Sequence, residues 1–343
     1  MKKGLALLLA LMIIVSLGAC ATDPAPPAGG TPAAPAETPD ADPPGGSRRV
    51  AGIVFQDDQF MRLLQLGYRE AAEAAGFEFF PGNTNGDVGQ EVELLNTFVE
   101  QGFSGVAISP ISEIASLAPL NSAAEAGLAI SLSNTEIDEP WVIAVFTSDN
   151  FNLGYMTGLA AAEFVRNEMD GVANIGILQY RSLLPEQSGA RFDGFMSALE
   201  GIEGITVVSD QDAWLQDVAI TTAGDMLTAN PNINLLWAAN EGGTVGATMA
   251  VRNAGLAGEV FVFGTDASEQ TIALLQADDN ILQAVTGQDP YGIGFATMQA
   301  LIAEIEGTIT NRGEVVIVPG VVLSRADQAL IEEFRLELLE RMG

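Results

Sequence analysis

The sequence predicts an α/β fold of two similar, doubly wound parallel-sheet lobes, and three observations carry that reading. Short β-rich apolar runs alternate with stretches of helical period from residue 50 to residue 318. The alternation starts afresh after a run at 142–146, so the pattern reads as two units in tandem. Nearly 300 residues beyond the N-terminal segment also suit two cores better than one.

Element by element, the first unit opens with a continuous apolar strand at 50–55, the pattern of a parallel strand buried on both faces. A helix follows at 59–75, then a strand at 77–80, a helix at 87–101, a strand at 105–108, a helix at 113–126 and strands at 128–132 and 142–146. The second unit reads as a helix at 150–168, then strands at 173–178, 205–208, 233–237 and 260–263, with helices at 186–199, 217–229, 244–254 and 269–276 between them. A strand at 281–286, a helix at 291–305 and a strand at 315–318 complete the sheets, and 325–342 is helical in composition. Two such lobes leave a cleft between the carboxyl ends of their strands, where open α/β sheets bind ligands.

The N-terminus is of another kind. Lys2 and Lys3 precede an apolar run at 5–17, and Leu17-Gly18-Ala19 lead to Cys20, the single cysteine of 343 residues. The run falls short of the roughly 20 apolar residues that span a bilayer and has the three parts of a secretory leader. It resembles a bacterial lipoprotein signal peptide, which implies lipidation at Cys20 and attachment to the outer face of a membrane. Eight of the sixteen prolines lie in residues 21–47 among many alanines and glycines, a composition that cannot bury apolar surface. Residues 1–20 therefore read as a leader and 21–49 as an extended tether.

Composition excludes several functions. The net charge is −31, and both lysines lie in the leader, so the chain lacks the basic surface that neutralises phosphates, and nucleic acid is not its partner. There is no histidine, which removes Ser-His-Asp triads, Cys-His pairs and His- or Cys-based zinc sites. Carboxylates alone can serve a glycosidase or hold calcium, yet the acids are scattered and form no such constellation. No phosphate-binding glycine motif appears. No catalytic, metal or cofactor constellation is therefore expected.

From residue 50 to about 324 the chain resembles the periplasmic sugar-binding proteins of the ribose- and galactose-binding type. The resemblance rests on FQDDQFMRLLQLGYREAAEAAG at 55–76, GVAISP at 105–110, SDN at 148–150, ARFDGF at 190–195, TANPNINLLWAANE at 228–241, FGTDAS at 263–268 and AVTGQDPYGIG at 284–294. It implies the type I periplasmic binding fold, with one lobe from 50–148 plus 288–318, the other from 149–287 plus 319–343, and three hinge crossovers near 148–150, 288–290 and 319. It further implies that a monomeric receptor captures a monosaccharide or polyol and presents its closed form to the permease and ATPase of an ABC importer. An alternative is a sensor presenting the closed form to a membrane receptor or kinase, and a second is a sugar enzyme, which would turn its ligand over.

The resemblance also places the binding residues. Phe60 and Trp214 would sandwich the apolar faces of a sugar ring. Arg191, Asn240 and Asp266 would give planar hydrogen bonds to vicinal hydroxyls, with Gln288 acting from the hinge side. Asp58 stands where Asn is common and Met61 where a second aromatic is common, Ser109 replaces a larger amide, and Ser133-Asn134-Thr135 replaces a charged pair. Those changes alter the charge and shape of the site. Simpler roles compete at several positions: core packing for Phe60 and Trp214, a surface arginine for Arg191, and helix N-caps for Asn240 and Asp266. In 184–188, Pro185 reads as the first turn of a helix, with Glu186 able to reach the cleft.

Overall fold

A computed structural model describes residues 47–310 and 312–342. The expected leader with Cys20, and the tether up to residue 46, lie outside the described residues.

The first lobe opens with β1 (Arg49–Val54) and α1 (Gln59–Ala74), followed by β2 (Glu78–Asn83), α2 (Val88–Glu100), β3 (Gly105–Ile108), α3 (Leu117–Glu125), β4 (Ala129–Ser133) and β5 (Val142–Thr147). The second contains α4 (Asn150–Glu168), β6 (Val172–Gln179), α5 (Pro185–Ala198), β7 (Gly204–Asp212), α6 (Gln216–Ala229), β8 (Leu235–Ala238), α7 (Glu241–Ala254), β9 (Phe261–Thr265), α8 (Glu269–Gln276) and β10 (Leu282–Gly287). The chain then returns through α9 (Pro290–Ile305) and β11 (Glu314–Ile317) to the first lobe, and through β12 (Val321–Ser324) and α10 (Gln328–Met342) to the second.

Each sheet has six strands, in the orders β11-β5-β4-β3-β1-β2 and β12-β10-β9-β8-β6-β7. All pairings are parallel except that of β12 with β10. In both sheets the order reverses beside the first strand of the unit, β1 or β6, the switch point at which loops diverge and a ligand can enter. The predicted α/β fold of two lobes is the one observed. Strand β12 escaped prediction because its four residues follow Pro319-Gly320 and pair antiparallel at a sheet edge. Helix α3 starts later than expected because Ser112 Oγ accepts from Ile114 N (3.3 Å) and Ala115 N (3.2 Å), a local turn that competes with helix.

The cores explain the apolar runs. Trp237 of β8 is fully buried and stacks on Phe195 of α5 at 4.7 Å, and Leu95, Phe98, Phe103 and Leu120 fill the outer face of the first sheet. Several helix pairs approach so closely that only glycine fits. A Cβ on Gly154 of α4 would lie 1.8 Å from Arg191 O of α5, and one on Gly294 of α9 would lie 2.1 Å from Leu64 O of α1. The first contact fixes the helix that carries Arg191. Helix α10 packs Ile331 and Leu338 into the second lobe, and Arg341 at its end pairs with Asp289 at 2.6 Å beside a crossover. Among the described residues no helix is long and apolar enough to cross a membrane.

Candidate functional site

On the first-lobe side, Asp58 caps α1. Its Oδ1 accepts from Met61 N at 2.8 Å and its Oδ2 from Gln56 Nε2. Burial raises the Asp58 carboxyl above its ordinary range, the Met61 amide opposes that rise, and the charge of Asp266 adds to it. The cap starts the helix at the carboxyl end of β1, so Phe60 and Met61 in its first turn line the cleft. Asn134, after β4, has φ 64°, a left-handed conformation held because Asn134 N donates to Phe146 O (2.9 Å) and its carbonyl accepts from Thr147 Oγ1 (3.0 Å).

On the second-lobe side, Arg191 is 4% exposed, a buried cation and not a surface arginine. Its Nε donates to Asn150 Oδ1 (2.9 Å), its Nη1 to Ala239 O (2.7 Å), and Nη1 lies 3.8 Å from Asp266 Oδ2. Asp266 also has a left-handed backbone, φ 75°, after β9. It accepts from Gln288 Nε2 (2.6 Å) and from Glu241 N (2.9 Å), while Ser268 caps α8 in its stead. Asn240 does cap α7, accepting from Gly243 N at 3.1 Å, and its amide donates to Trp214 O at 3.0 Å. The cap therefore also fixes the loop that presents Trp214.

One cavity between the lobes is lined by Asp58, Phe60, Met61, Asn134, Arg191, Trp214, Asn240, Asp266 and Gln288. Phe60 and Trp214 are only half-buried and enter it from opposite lobes. Ser109 does not join them: it follows β3 and is fully buried. Ser133 and Thr135 are likewise buried, Ser133 Oγ against Tyr68 OH, and of that neutral trio only Asn134 reaches the cavity. Glu186 is exposed in a side groove with Glu113 and Glu136.

Sequence reasoning missed Tyr180, Leu183, Leu184, Gln187, Glu241 and Gln56, all of which line the same cavity. Gln187 carried a readable signal, since it lies one helical turn before Arg191 and so shares its face. Glu241 directly follows Asn240, and its carboxyl is pushed up to about 7 by burial, with the nearby charges of Asp58 and Asp266 adding to the shift. Tyr180, just past the apolar run of β6, carried no signal distinguishing it from core.

The lobes meet on both flanks of the cavity. Gln187 Nε2 donates to Asn134 O (2.8 Å), and Glu269 N of α8 donates to Gln59 Oε1 of α1 (2.8 Å). The space left is ≈ 50 Å³, well under the roughly 300–1,000 Å³ of small-molecule pockets. Parting of the lobes, a hinge motion absorbed where the chain crosses between them, would widen this space. Among the described residues no group of three His, Cys, Asp or Glu side chains is placed to hold a metal ion.

Comparison with known proteins places this geometry in a wider group. The ABC transporter periplasmic-binding protein YphF of Escherichia coli (strain K12) is 27% identical over 243 residues, 68% of this chain and 73% of that protein. The D-allose-binding periplasmic protein of the same strain is 26% identical over 72% of this chain and 81% of its own length. Among solved structures, an ABC transporter solute binding protein from Bacillus halodurans C-125 with bound myo-inositol superposes with a TM-score of 0.75 at 19% identity, covering 86% of this chain and 99% of that one. The family described as periplasmic binding protein domain matches residues 52–309. This chain belongs to the periplasmic binding protein domain family.

Proposed function

We propose that the protein is an extracytoplasmic receptor that captures a monosaccharide or related polyol between its lobes and delivers it to an ABC importer. The observation that carries this reading is the makeup of the interlobe cavity. Two aromatic side chains enter from opposite lobes, and Arg191, Asp266, Asn240 and Gln288 lie around them. Flat apolar faces with planar donors and acceptors at the rim match a polyhydroxylated ring, which has apolar faces and hydroxyl edges. A ligand touching both lobes binds the closed form better, and so shifts the population toward the form a permease would recognise. The names of the relatives, among them binding proteins for D-allose, D-apiose and ribose, support the same class. The reading includes a lipid anchor at Cys20 and the permease and ATPase of the importer as partners, with the receptor acting as a monomer.

Isothermal titration of the purified protein with pentoses, hexoses and inositols tests the proposal. Saturable binding of a narrow group, weakened by Trp214→Ala and by Asp266→Ala, with the sugar recovered unchanged, is the expected result. Turnover of the sugar, or no binding across the panel, would sink it. Labelling of the wild-type protein but not of Cys20→Ser by a palmitate analogue tests the anchor.

A further inference from the structure

Tyr180 follows β6 and is 4% exposed. Its hydroxyl is among the few buried side-chain polar atoms without a hydrogen-bond partner, with Thr84 Oγ1, Glu91 Oε1, Ser109 Oγ, Ser148 Oγ, Trp237 Nε1 and Thr265 Oγ1, and of these residues only Tyr180 lines the interlobe cavity. A buried hydroxyl left unpaired is costly, so such groups are normally satisfied. The residue is not loosely placed. Tyr180 N donates to Ser188 Oγ (3.1 Å), and Tyr180 O accepts from both Leu183 N and Leu184 N at 3.0 Å, which folds 180–184 into a tight turn. The Arg191 guanidinium stands 5.3 Å from the ring centroid. The charges of Arg191 and Asp266 both act on the phenol, and burial pushes it up to about 12, so at neutral pH it keeps its proton and can donate as well as accept.

We propose that Tyr180 is a specificity-determining residue whose hydroxyl bonds one ligand hydroxyl beside Arg191 and Asp266. The site then takes a sugar that carries this hydroxyl and rejects the analogue deoxygenated there. This rests on the sugar-binding reading and adds a residue that the sequence did not single out. A site built to hydrogen-bond a hydroxyl discriminates strongly against the ligand lacking it, because the protein's own polar group is then left buried and unpaired.

The experiment titrates the wild type and Tyr180→Phe with D-ribose, D-allose and D-arabinose, and then with the monodeoxy derivatives of whichever binds best. In the wild type one deoxy position weakens binding at least tenfold. Tyr180→Phe weakens the parent sugar by about tenfold or more and erases the penalty at that one position. A structural role would not reproduce that pattern, and it would lower the melting temperature of the unliganded variant, whereas removing an unpaired hydroxyl leaves that temperature unchanged or higher. Wild-type affinity in Tyr180→Phe with the deoxy ranking intact would overturn the inference while leaving sugar binding in place. Absence of binding by the wild type itself would instead overturn the receptor reading. A crystal structure of the wild type with the best sugar gives a check independent of any variant: a ligand oxygen within hydrogen-bond distance of Tyr180 Oη supports the assignment, and none within 3.5 Å refutes it.

Discussion

Replacing Gln59 by alanine separates closure from ligand contact. Gln59 Oε1 accepts from Glu269 N at 2.8 Å across the lobes, yet Gln59 does not line the cavity that holds Phe60, Arg191 and Trp214. Its loss removes one neutral hydrogen bond from the closed form only, a net contribution of about 0.5–1.5 kcal/mol. The open-to-closed ratio of the unliganded protein rises by that amount, about 2- to 13-fold, so with both forms populated the mean opening grows and the apparent sugar affinity falls by up to the same factor. Calorimetry gives the affinity and small-angle scattering of the unliganded protein gives the mean opening. The two must move together in Gln59→Ala, while Trp214→Ala weakens binding without changing the unliganded opening. Wild-type affinity and wild-type opening in Gln59→Ala would refute the argument that this bond holds the lobes together.

Three further outcomes follow from the same geometry. Arg191→Ala removes the cation 3.8 Å from the partly buried Asp266 and leaves Ala239 O without its donor; it should cost about 1–3 kcal/mol of stability, read by chemical denaturation, and abolish sugar binding in calorimetry. Gly154→Ala drives a methyl into Arg191 O across α4 and α5; overpacking of about 1–3 kcal/mol should appear in denaturation, together with weakened binding because Arg191 shifts. Glu241 holds its proton more tightly when folded, up to about 7 against an ordinary 4.5. The folded state therefore binds more protons in that window, and stability falls as pH rises from about 4.5 to 7. Melting temperatures of the wild type and Glu241→Gln across this range should diverge in that sense, and parallel curves would contradict it.

Much of the site was legible because its chemistry is local. Asn240 and Asp266 lie just past an apolar strand and Asp58 in the short loop after β1, and Asp58 and Asn240 cap the next helix with the oxygen that a cap requires. Arg191 was found through its motif, but its burial was not, since an arginine on a helix of mixed polarity reads as solvated until α4 closes over it at Gly154. Ser109 is the converse case, since it lies just past the four-residue strand β3, where period-2 alternation no longer sets the side-chain direction.

The sequence by itself determined the two α/β units, the order of nearly all their strands and helices, and the absence of histidine chemistry. These are properties of periodicity and composition, which need only near neighbours along the chain. Tertiary structure alone decided that β12 closes the second sheet antiparallel, that Gln187 and Gln59 bond across the lobes, and that Tyr180, packed into the core, also lines the cleft. Each of those facts depends on segments far apart in sequence packing face to face, and periodicity along one segment does not specify which surface another will meet.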